Sequence, residues 1–187
     1  MIFQLLNEEK LIVNYFQLFN IAPSFEVDLN ELSSSYQTLQ KTVHPDNFAH
    51  SSAQQQRIAV QKSSQVNDAY ETLKNPLKRA EYMLVDRGVK MPDEQQSFGD
   101  TSFLMHQMEL REMLEEIKYA SDPEIALAEG QAVLDKEYVA LLQMMRRQIT
   151  ENTQASNSAA CDNLRKLKFY QKLNIEVERL EESLFED

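Results

Sequence analysis

Two stretches in the first half of the chain carry apolar residues at helical spacing. In the first stretch they are Leu29, Leu32, Tyr36, Leu39 and Val43. In the second they are Ala59, Val66, Ala69, Tyr70 and Leu73. This spacing places each set on one face of an α-helix. The pattern predicts two helices, from Asp28 or Asn30 to about Thr42 and from about Ser52 to Asn75, joined by a short loop as an antiparallel hairpin.

The same spacing continues in the second half and predicts three more helices, at about 101–119, 123–150 and 155–185. The middle helix carries Leu127, Leu134, Tyr138, Leu141 and Met145 on one face. The last helix carries Leu164, Leu167, Tyr170, Leu173, Val177, Leu180 and Leu184. Because the connecting turns are short, neighbouring helices should be antiparallel, which predicts a three-helix bundle over residues 101–187.

Helix-breaking residues separate the two halves. The polar segment DRGVKMPDEQQSFGD, residues 86–100, holds two of the three glycines of the chain. We place a linker at 89–100, after an N-terminal domain over 1–88 whose small core is completed by apolar segments at 15–19 and 80–84. With so few glycines, no Trp and no Asn-Gly or Asp-Gly hairpin signal, the fold is predicted to be all-α.

Cysteine usage and the start of the chain bear on the compartment. The single cysteine, Cys161, can form neither an internal disulfide nor a CxxC metal site, which fits a reducing environment. The start, MIFQLLNEEK, lacks the basic opening and apolar centre of a signal peptide, and no run approaches the ~18 apolar residues of a membrane span. These features predict a soluble cytoplasmic protein with no membrane partner.

The net charge of −11 is concentrated in the second half of the chain. Residues 1–90 hold 9 Lys and Arg against 10 Asp and Glu, a balance of −1, whereas residues 91–187 hold 10 against 20, a balance of −10. Such a surface repels phosphate backbones, so no nucleic-acid partner is expected. The acidic half either serves solubility alone or forms a docking face.

The loop KTVHPDNFAH, residues 41–50, connects the two helices of the predicted hairpin. Pro45 disfavours helix in the preceding residue, so the first helix should end near His44, and Asp46 can accept backbone hydrogen bonds in a turn. Acid–base catalysis by His44 would need a second reactive group converging on it. The other histidines, His50 and His106, belong to no metal-ligand spacing, so we predict neither an enzyme nor a metal site.

Three sequence segments resemble the HscB family, J-type co-chaperones of iron–sulfur cluster assembly. They are NYFQLFNIAPSFEVDLNELSSSYQTLQKTVHPDNF, VNDAYETLKNPLKRAEYML and SFLMHQMELREMLEEI. A helical hairpin whose loop reads His-Pro-Asp is similar to the J-domain of Hsp70 co-chaperones. The resemblance extends from about Asn14 to the C-terminus, and the extension MIFQLLNEEKLIV precedes it.

The resemblance implies that the N-terminal domain binds an HscA-like Hsp70 and stimulates its ATP hydrolysis. The loop that is essential in the family corresponds to His44, Pro45 and Asp46, with Lys41 as the basic residue before it. Two positions depart from the family pattern: Asn47 stands where J-domains commonly have Lys, and the usually basic helix before the loop offers only Lys41. The N-terminal CxxC zinc module of eukaryotic members is absent, so no metal or other cofactor is expected.

The helix predicted at 101–119 has two apolar sides. Phe103, Leu110, Leu114 and Ile117 form the side expected to face the bundle core. The opposite side combines Leu104, Met105 and Met108 with the carboxylates of Glu109, Glu112 and Glu116. This second side either packs within its own domain or is a partner surface. The resemblance implies the latter, a binding site for an IscU-like iron–sulfur scaffold, completed by Phe169 of the last helix.

The sequence therefore predicts a non-enzymatic two-domain adaptor that delivers the scaffold to the Hsp70. Two alternatives stay open: a J-domain co-chaperone with a different client, and an α-helical interaction protein in which the His-Pro-Asp loop is only a turn. The first would lack an exposed surface at Leu104, Met105 and Met108. For the second, Asp46→Asn should change nothing in a chaperone assay.

Overall fold

The computed structural model of the protein describes residues 14–92 and 99–185, and every regular element within them is helical. The α-helices are α1 (Tyr15–Leu18), α2 (Leu29–Val43), α3 (Ala53–Lys74), α4 (Pro76–Asp86), α5 (Thr101–Glu116), α6 (Pro123–Glu151) and α7 (Gln154–Phe185). Short 3₁₀ helices follow α2, at Pro45–Phe48, and α5, at Ile117–Tyr119. The predicted all-α fold is confirmed.

The chain forms two compact units that divide between Met83 and Leu84, inside α4. We call them the N-terminal and the C-terminal unit. The predicted division at residues 88 and 101 stays a prediction. The extension at 1–13 and the middle of the predicted linker, 93–98, lie outside the described residues. No helix of the described ranges is long and apolar enough to cross a bilayer.

The hairpin of α2 and α3 begins and ends where local capping dictates. Of the two predicted caps for α2, Asp28 is the one used: its carboxylate accepts from the backbone N–H groups of Asn30 and Glu31 at 2.8 and 3.2 Å. Ser52 and Gln55 form a reciprocal capping box at the start of α3. These hydrogen bonds satisfy backbone donors that the first turn of a helix leaves unpaired.

Most residues of the predicted apolar faces of the hairpin are buried. Tyr36 and Tyr70 are only partly buried and stack their rings on each other with centroids 4.1 Å apart, and Leu29 is exposed. Leu32, Leu39 and Val43 of α2 are buried, as are Ala59, Val66, Ala69 and Leu73 of α3. Leu29 was predicted to lie on the same face but is 52% exposed. At about 100° per residue it lies roughly 60° from the centre of the stripe formed by the other α2 residues, at the edge of the contact.

Aromatic residues before the hairpin pack against α4 and complete the N-terminal core, as the sequence predicts. Phe16 and Phe19 are buried, and the ring of Tyr15 stacks on that of Tyr82 with centroids 4.5 Å apart. Arg79 of α4 is also buried, and its guanidinium donates to the backbone carbonyl of Leu73 at 2.7 Å. This hydrogen bond satisfies a carbonyl that the end of α3 leaves without an intrahelical partner.

The C-terminal unit is the predicted three-helix bundle of α5, α6 and α7. One cluster of buried side chains fills the end that includes α5: Phe103, Leu110, Leu114, Ile117, Leu127, Leu134, Phe169, Tyr170, Leu173, Val177 and Leu180. Gly130 of α6 lies against Ile117 of the second 3₁₀ helix, where a Cβ would stand at an ordinary contact distance of 3.4 Å from Cδ1 of Ile117. Tyr138, Leu141 and Leu184, predicted on core faces, are partly buried against the cluster.

Candidate partner-binding sites

The loop between α2 and α3 changes direction at His44. Pro45 forces this residue out of the helical region, to φ −56° and ψ 129°, and itself opens the 3₁₀ helix Pro45–Phe48. The His44 carbonyl accepts from the backbone N–H of Asn47 at 3.0 Å. The proline therefore ends α2, as the sequence predicts, and starts a compact turn. The side chain that accepts a backbone hydrogen bond in this turn is that of His44, whereas the sequence analysis expects Asp46 in that role.

Two polar side chains of the loop, those of His44 and Asp46, point outward. His44 Nδ1 accepts from the backbone N–H of Asp46 at 3.3 Å, so a neutral ring carries its proton on Nε2. The same nitrogen lies 3.5 Å from Oδ2 of Asp46. Both side chains are open to solvent, His44 to 53% and Asp46 to 88%. The turn therefore presents an imidazole and a carboxylate side by side to any partner.

Two amides whose role the sequence reasoning missed bind the loop to the adjoining helices. The side-chain amide of Asn47 donates to the Lys41 carbonyl in the last turn of α2 at 2.7 Å. Gln56 of α3 donates to the carbonyls of Ala49 and Ser51 at 3.0 and 3.2 Å. An Asn just after a helix stop is a frequent partner for backbone groups, and this was the available signal. Lys41 itself is exposed, next to the negative end of the α2 dipole.

Helix α5 has the two sides that the sequence predicts. Phe103, Leu110, Leu114 and Ile117 are buried in the bundle core. On the other side, Met105 and Met108 are 61% and 64% exposed, whereas Leu104 is half-buried. Glu109, Glu112 and Glu116 are exposed beside the methionines. We call Met105, Met108 and these three glutamates the acidic strip.

Phe169 is buried, unlike the exposed residues of the acidic strip. Its side chain is only 8% exposed, and its ring meets that of Phe103 edge to face at a centroid distance of 5.7 Å. The guanidinium of Arg111 lies 5.7 Å from the centre of the Phe169 ring. Periodicity along one helix could not reveal this burial, because α5 supplies the contacts. The assignment of Phe169 to the scaffold site stays a prediction.

A hydrogen-bonded cluster that the sequence did not indicate borders the acidic strip. His106 Nδ1 lies 3.1 Å from Oε2 of Glu109, and His106 Nε2 lies 2.9 Å from Oε2 of Glu137 on α6. Tyr170 of α7 donates to the same Glu137 oxygen at 2.7 Å. Burial, followed by this hydrogen bond, raises the pKa of Tyr170. The three-residue spacing of His106 and Glu109 on one helix could have indicated their contact. Nothing in the sequence indicated the contact of His106 with Glu137.

The N-terminus of α5 is tied to α7. Asp100 caps the helix by accepting from the backbone N–H of Phe103 at 3.1 Å, and its other oxygen lies 2.7 Å from Nζ of Lys166. The hydrogen bond from Lys166 is the main reason that the pKa of Asp100 is well below its usual range. Lys166 also lies 4.8 Å from the centre of the Phe103 ring. The start of the strip-bearing helix is thereby fixed to the bundle.

Among the described residues, no group of His, Cys, Asp and Glu side chains has an arrangement that could hold a metal ion. Each unit presents one exposed candidate surface. One is a preformed loop with exposed His44 and Asp46. The other is a helix face with two exposed methionines among carboxylates.

Comparison with known families defines the class of this molecule. Residues 14–82 match the family model described as the DnaJ domain. Residues 99–178 match the one described as the HSCB C-terminal oligomerisation domain. The N-terminal unit thus carries a J-domain, so this protein is a J-domain protein.

Relatives over nearly the full chain specify the family. A co-chaperone protein HscB homolog from Colwellia psychrerythraea (strain 34H) is 73% identical over 175 residues, 94% of this chain and 100% of the relative. One from Vibrio vulnificus (strain YJ016) is 47% identical over 173 residues, 92% of this chain and 99% of the relative. This chain belongs to the HscB family of co-chaperones, as the sequence motifs indicated. A co-chaperone's role is not an enzymatic one.

Solved structures agree in fold. The chaperone HscB from Vibrio cholerae is 46% identical and superposes with a TM-score of 0.88, covering 92% of this chain and all of that one. The human co-chaperone HscB is 28% identical, with a TM-score of 0.82 over 92% of this chain and 84% of that one. The arrangement of a J-domain followed by a helical bundle is thus shared with these proteins.

Proposed function

We propose that this protein stimulates the ATPase of an HscA-type Hsp70 and delivers an IscU-type scaffold to it, assisting the maturation of iron–sulfur proteins. The observation that carries the proposal is the pairing of two exposed surfaces in one chain of the HscB family. The J-domain loop presents His44 and Asp46, and the bundle presents the acidic strip.

The loop is suited to bind a cationic surface on the Hsp70. Asp46 is almost fully exposed, and its carboxylate can accept charge-assisted hydrogen bonds from an Arg or Lys of the partner. Pro45, Asn47 and Gln56 hold the backbone in place before binding, so less conformational entropy is lost on association. Lys41 adds one exposed cation at the end of α2 for an acidic patch on the Hsp70.

The acidic strip is suited to a partner that is both apolar and basic. Burying Met105 and Met108 contributes about 3–6 kcal/mol, whereas association costs about 4–15 kcal/mol. A micromolar complex needs about −8 kcal/mol, so the methionines alone cannot hold one. Leu104, the carboxylates and, if it becomes accessible, Phe169 must contribute. The carboxylates mainly select a basic partner and speed its association.

Single-turnover ATP hydrolysis by an HscA-type Hsp70 tests the proposal. Wild-type protein should accelerate hydrolysis, and addition of the IscU-type scaffold should increase the rate further. Asp46→Asn should abolish the acceleration, because the neutral amide cannot form the charged contact, while circular dichroism shows the helical content unchanged. Asp68→Asn, an exposed carboxylate on α3, is the matched control and should behave as wild type.

Two other outcomes of the same assay have distinct meanings. Acceleration that is lost in Asp46→Asn but unaffected by the scaffold would indicate a J-domain co-chaperone with a different client. The absence of acceleration by wild-type protein would contradict the proposal and leave the His-Pro-Asp loop as a turn.

A further inference from the structure

An imidazole lies between two carboxylates at the border of the acidic strip. His106 Nδ1 is 3.1 Å from a carboxylate oxygen of Glu109, and Nε2 is 2.9 Å from one of Glu137. An ionised carboxylate can only accept hydrogen bonds, so both contacts exist together only when each ring nitrogen bears a proton. Two ionised carboxylates at these distances therefore match the imidazolium form of the ring, in which both nitrogens donate.

The two carboxylates hold this cation unequally. The Glu137 side chain is 32% exposed and also accepts from the hydroxyl of Tyr170 at 2.7 Å. Glu109 is 68% exposed, on the solvent side of α5. A neutral ring has one N–H left and can donate to only one of the two carboxylates. It should keep Glu137, the shorter and less exposed contact, so that Glu109 is released to solvent.

The groups that face His106 come from all three helices of the bundle: Glu109 from α5, Glu137 from α6 and the neutral phenol of Tyr170, through Glu137, from α7. The hydrogen bond with Glu137 raises the pKa of His106 above its ordinary value of 6.5, against an opposing effect of burial, and Glu109 raises it further. Protonated His106 therefore contributes its full share to the stability of the C-terminal unit below pH 6.5. This contribution is lost as the pH rises through the pKa of His106 in the folded state.

We propose that His106 is an internal cation that competes with the partner for Glu109. A lysine or arginine of the partner that binds Glu109 takes the place of the Nδ1 proton donor, and the proton of the imidazolium is released to the solvent. The identity of the partner, an IscU-type scaffold, rests on the function proposed above. The contact between His106 and Glu109 does not depend on it.

NMR titration of the histidine rings tests the internal contact without any partner. The His106 resonance, assigned by its absence in His106→Gln, should titrate with a pKa above the ordinary histidine value of 6.5. Glu137→Gln should lower this pKa most, and Glu109→Gln should lower it less. A His106 that titrates at or below an ordinary histidine would overturn the proposal.

Calorimetry of scaffold binding tests the competition. As the pH rises from about 6 to about 8.5, Kd for wild-type protein should fall about three- to tenfold more than Kd for His106→Gln. The variant reports the pH dependence that comes from the scaffold itself. In buffers of different protonation enthalpy, the wild type should release protons on binding, and His106→Gln should not. Glu109→Gln should bind more weakly and also lose the proton release. His50→Gln, in the other unit, is the control and should match wild type.

The failures of the two proposals are distinguishable. Binding whose pH dependence and proton release are the same in wild type and His106→Gln would overturn the competition alone. The absence of binding at both pH values would contradict the proposed function and the competition together.

Discussion

At the scale of single residues, the loop between α2 and α3 combines a fixed backbone with two solvent-exposed side chains. Pro45 sets the backbone direction, and the amides of Asn47 and Gln56 satisfy carbonyls at the two ends of the loop. His44 and Asp46 remain exposed on this frame. A loop ordered in this way loses little entropy on binding, so its fixing residues should affect function more than stability.

Asn47→Ala should test this distinction. The variant loses the hydrogen bond to the Lys41 carbonyl, which is exposed, so the free energy of unfolding should fall by only about 0.5–1.5 kcal/mol. The concentration needed for half-maximal stimulation of the Hsp70 ATPase should rise severalfold, because the loop must be ordered on binding. Thermal unfolding and the ATPase titration measure the two effects, with Gln54→Ala on the exposed surface of α3 as control. Unchanged stimulation would show that the hydrogen bond does not position the loop.

At the scale of elements, two polar contacts attach α5 to the other helices of the bundle, and the acidic strip lies on its exposed side. Its N-terminus is tied to α7 through Asp100 and Lys166, and its second turn to α6 through His106 and Glu137. The helix itself has core residues on one side and exposed methionines on the other. Because both anchors are ionic, the position of the strip should respond to pH at both the acid and the neutral end.

Asp100→Asn should make the unfolding temperature less sensitive to acid. The folded-state pKa of Asp100 is depressed, so the carboxylate stabilises the fold above its ordinary pKa of 3.8 and this contribution is lost as the pH falls. Asparagine keeps the cap but not the ion pair with Lys166. Between about pH 5 and about pH 2.5, the unfolding temperature of the variant should fall less than that of wild type. Asp122→Asn, at the N-cap of α6, is the matched control; equal acid responses of Asp100→Asn and wild type would refute the prediction.

At the scale of the whole molecule, each unit carries one of the two proposed partner surfaces. The charge is divided in the same way, with a balance of −1 over residues 1–90 and −10 over residues 91–187. Long-range attraction of a basic partner is therefore concentrated on the strip-bearing half of the chain. Apolar contacts act only after the surfaces meet, so charge and methionines should affect different rate constants.

Salt and side-chain truncation should separate these effects in scaffold binding. Raising the ionic strength from about 0.05 M to about 0.5 M should slow association by about tenfold and change dissociation little. Met105→Ala combined with Met108→Ala should instead speed dissociation at unchanged association rate. Stopped-flow kinetics resolve the two constants, and Met144→Ala, an exposed methionine of α6, is the control. A salt-independent association rate would contradict a role for the carboxylates in steering.

Periodicity and capping sufficed for the secondary structure because both are local. The predicted stop near His44 is correct, and of the two predicted caps, Asp28 and Asn30, the structure uses Asp28. Both features depend on residues within one helical turn. The buried face of α5 followed from the 3.6-residue repeat. Leu29 is predicted on the buried face of α2 but is exposed. A sequence pattern gives the direction of a helix face but not how wide a part of that face the neighbouring helix covers.

The sequence by itself determined the all-α class, the helices, the His-Pro-Asp turn and the two-sided α5, since each is a property of residues close along the chain. Only the tertiary structure decided which of those side chains remain accessible. Phe169 is covered by Phe103 and Arg111, and His106 meets Glu137, 31 residues away. The physical reason is that burial and side-chain pairing between helices depend on how the helices pack against one another. The residues that meet in this way are far apart in the sequence, so no short-range pattern relates them.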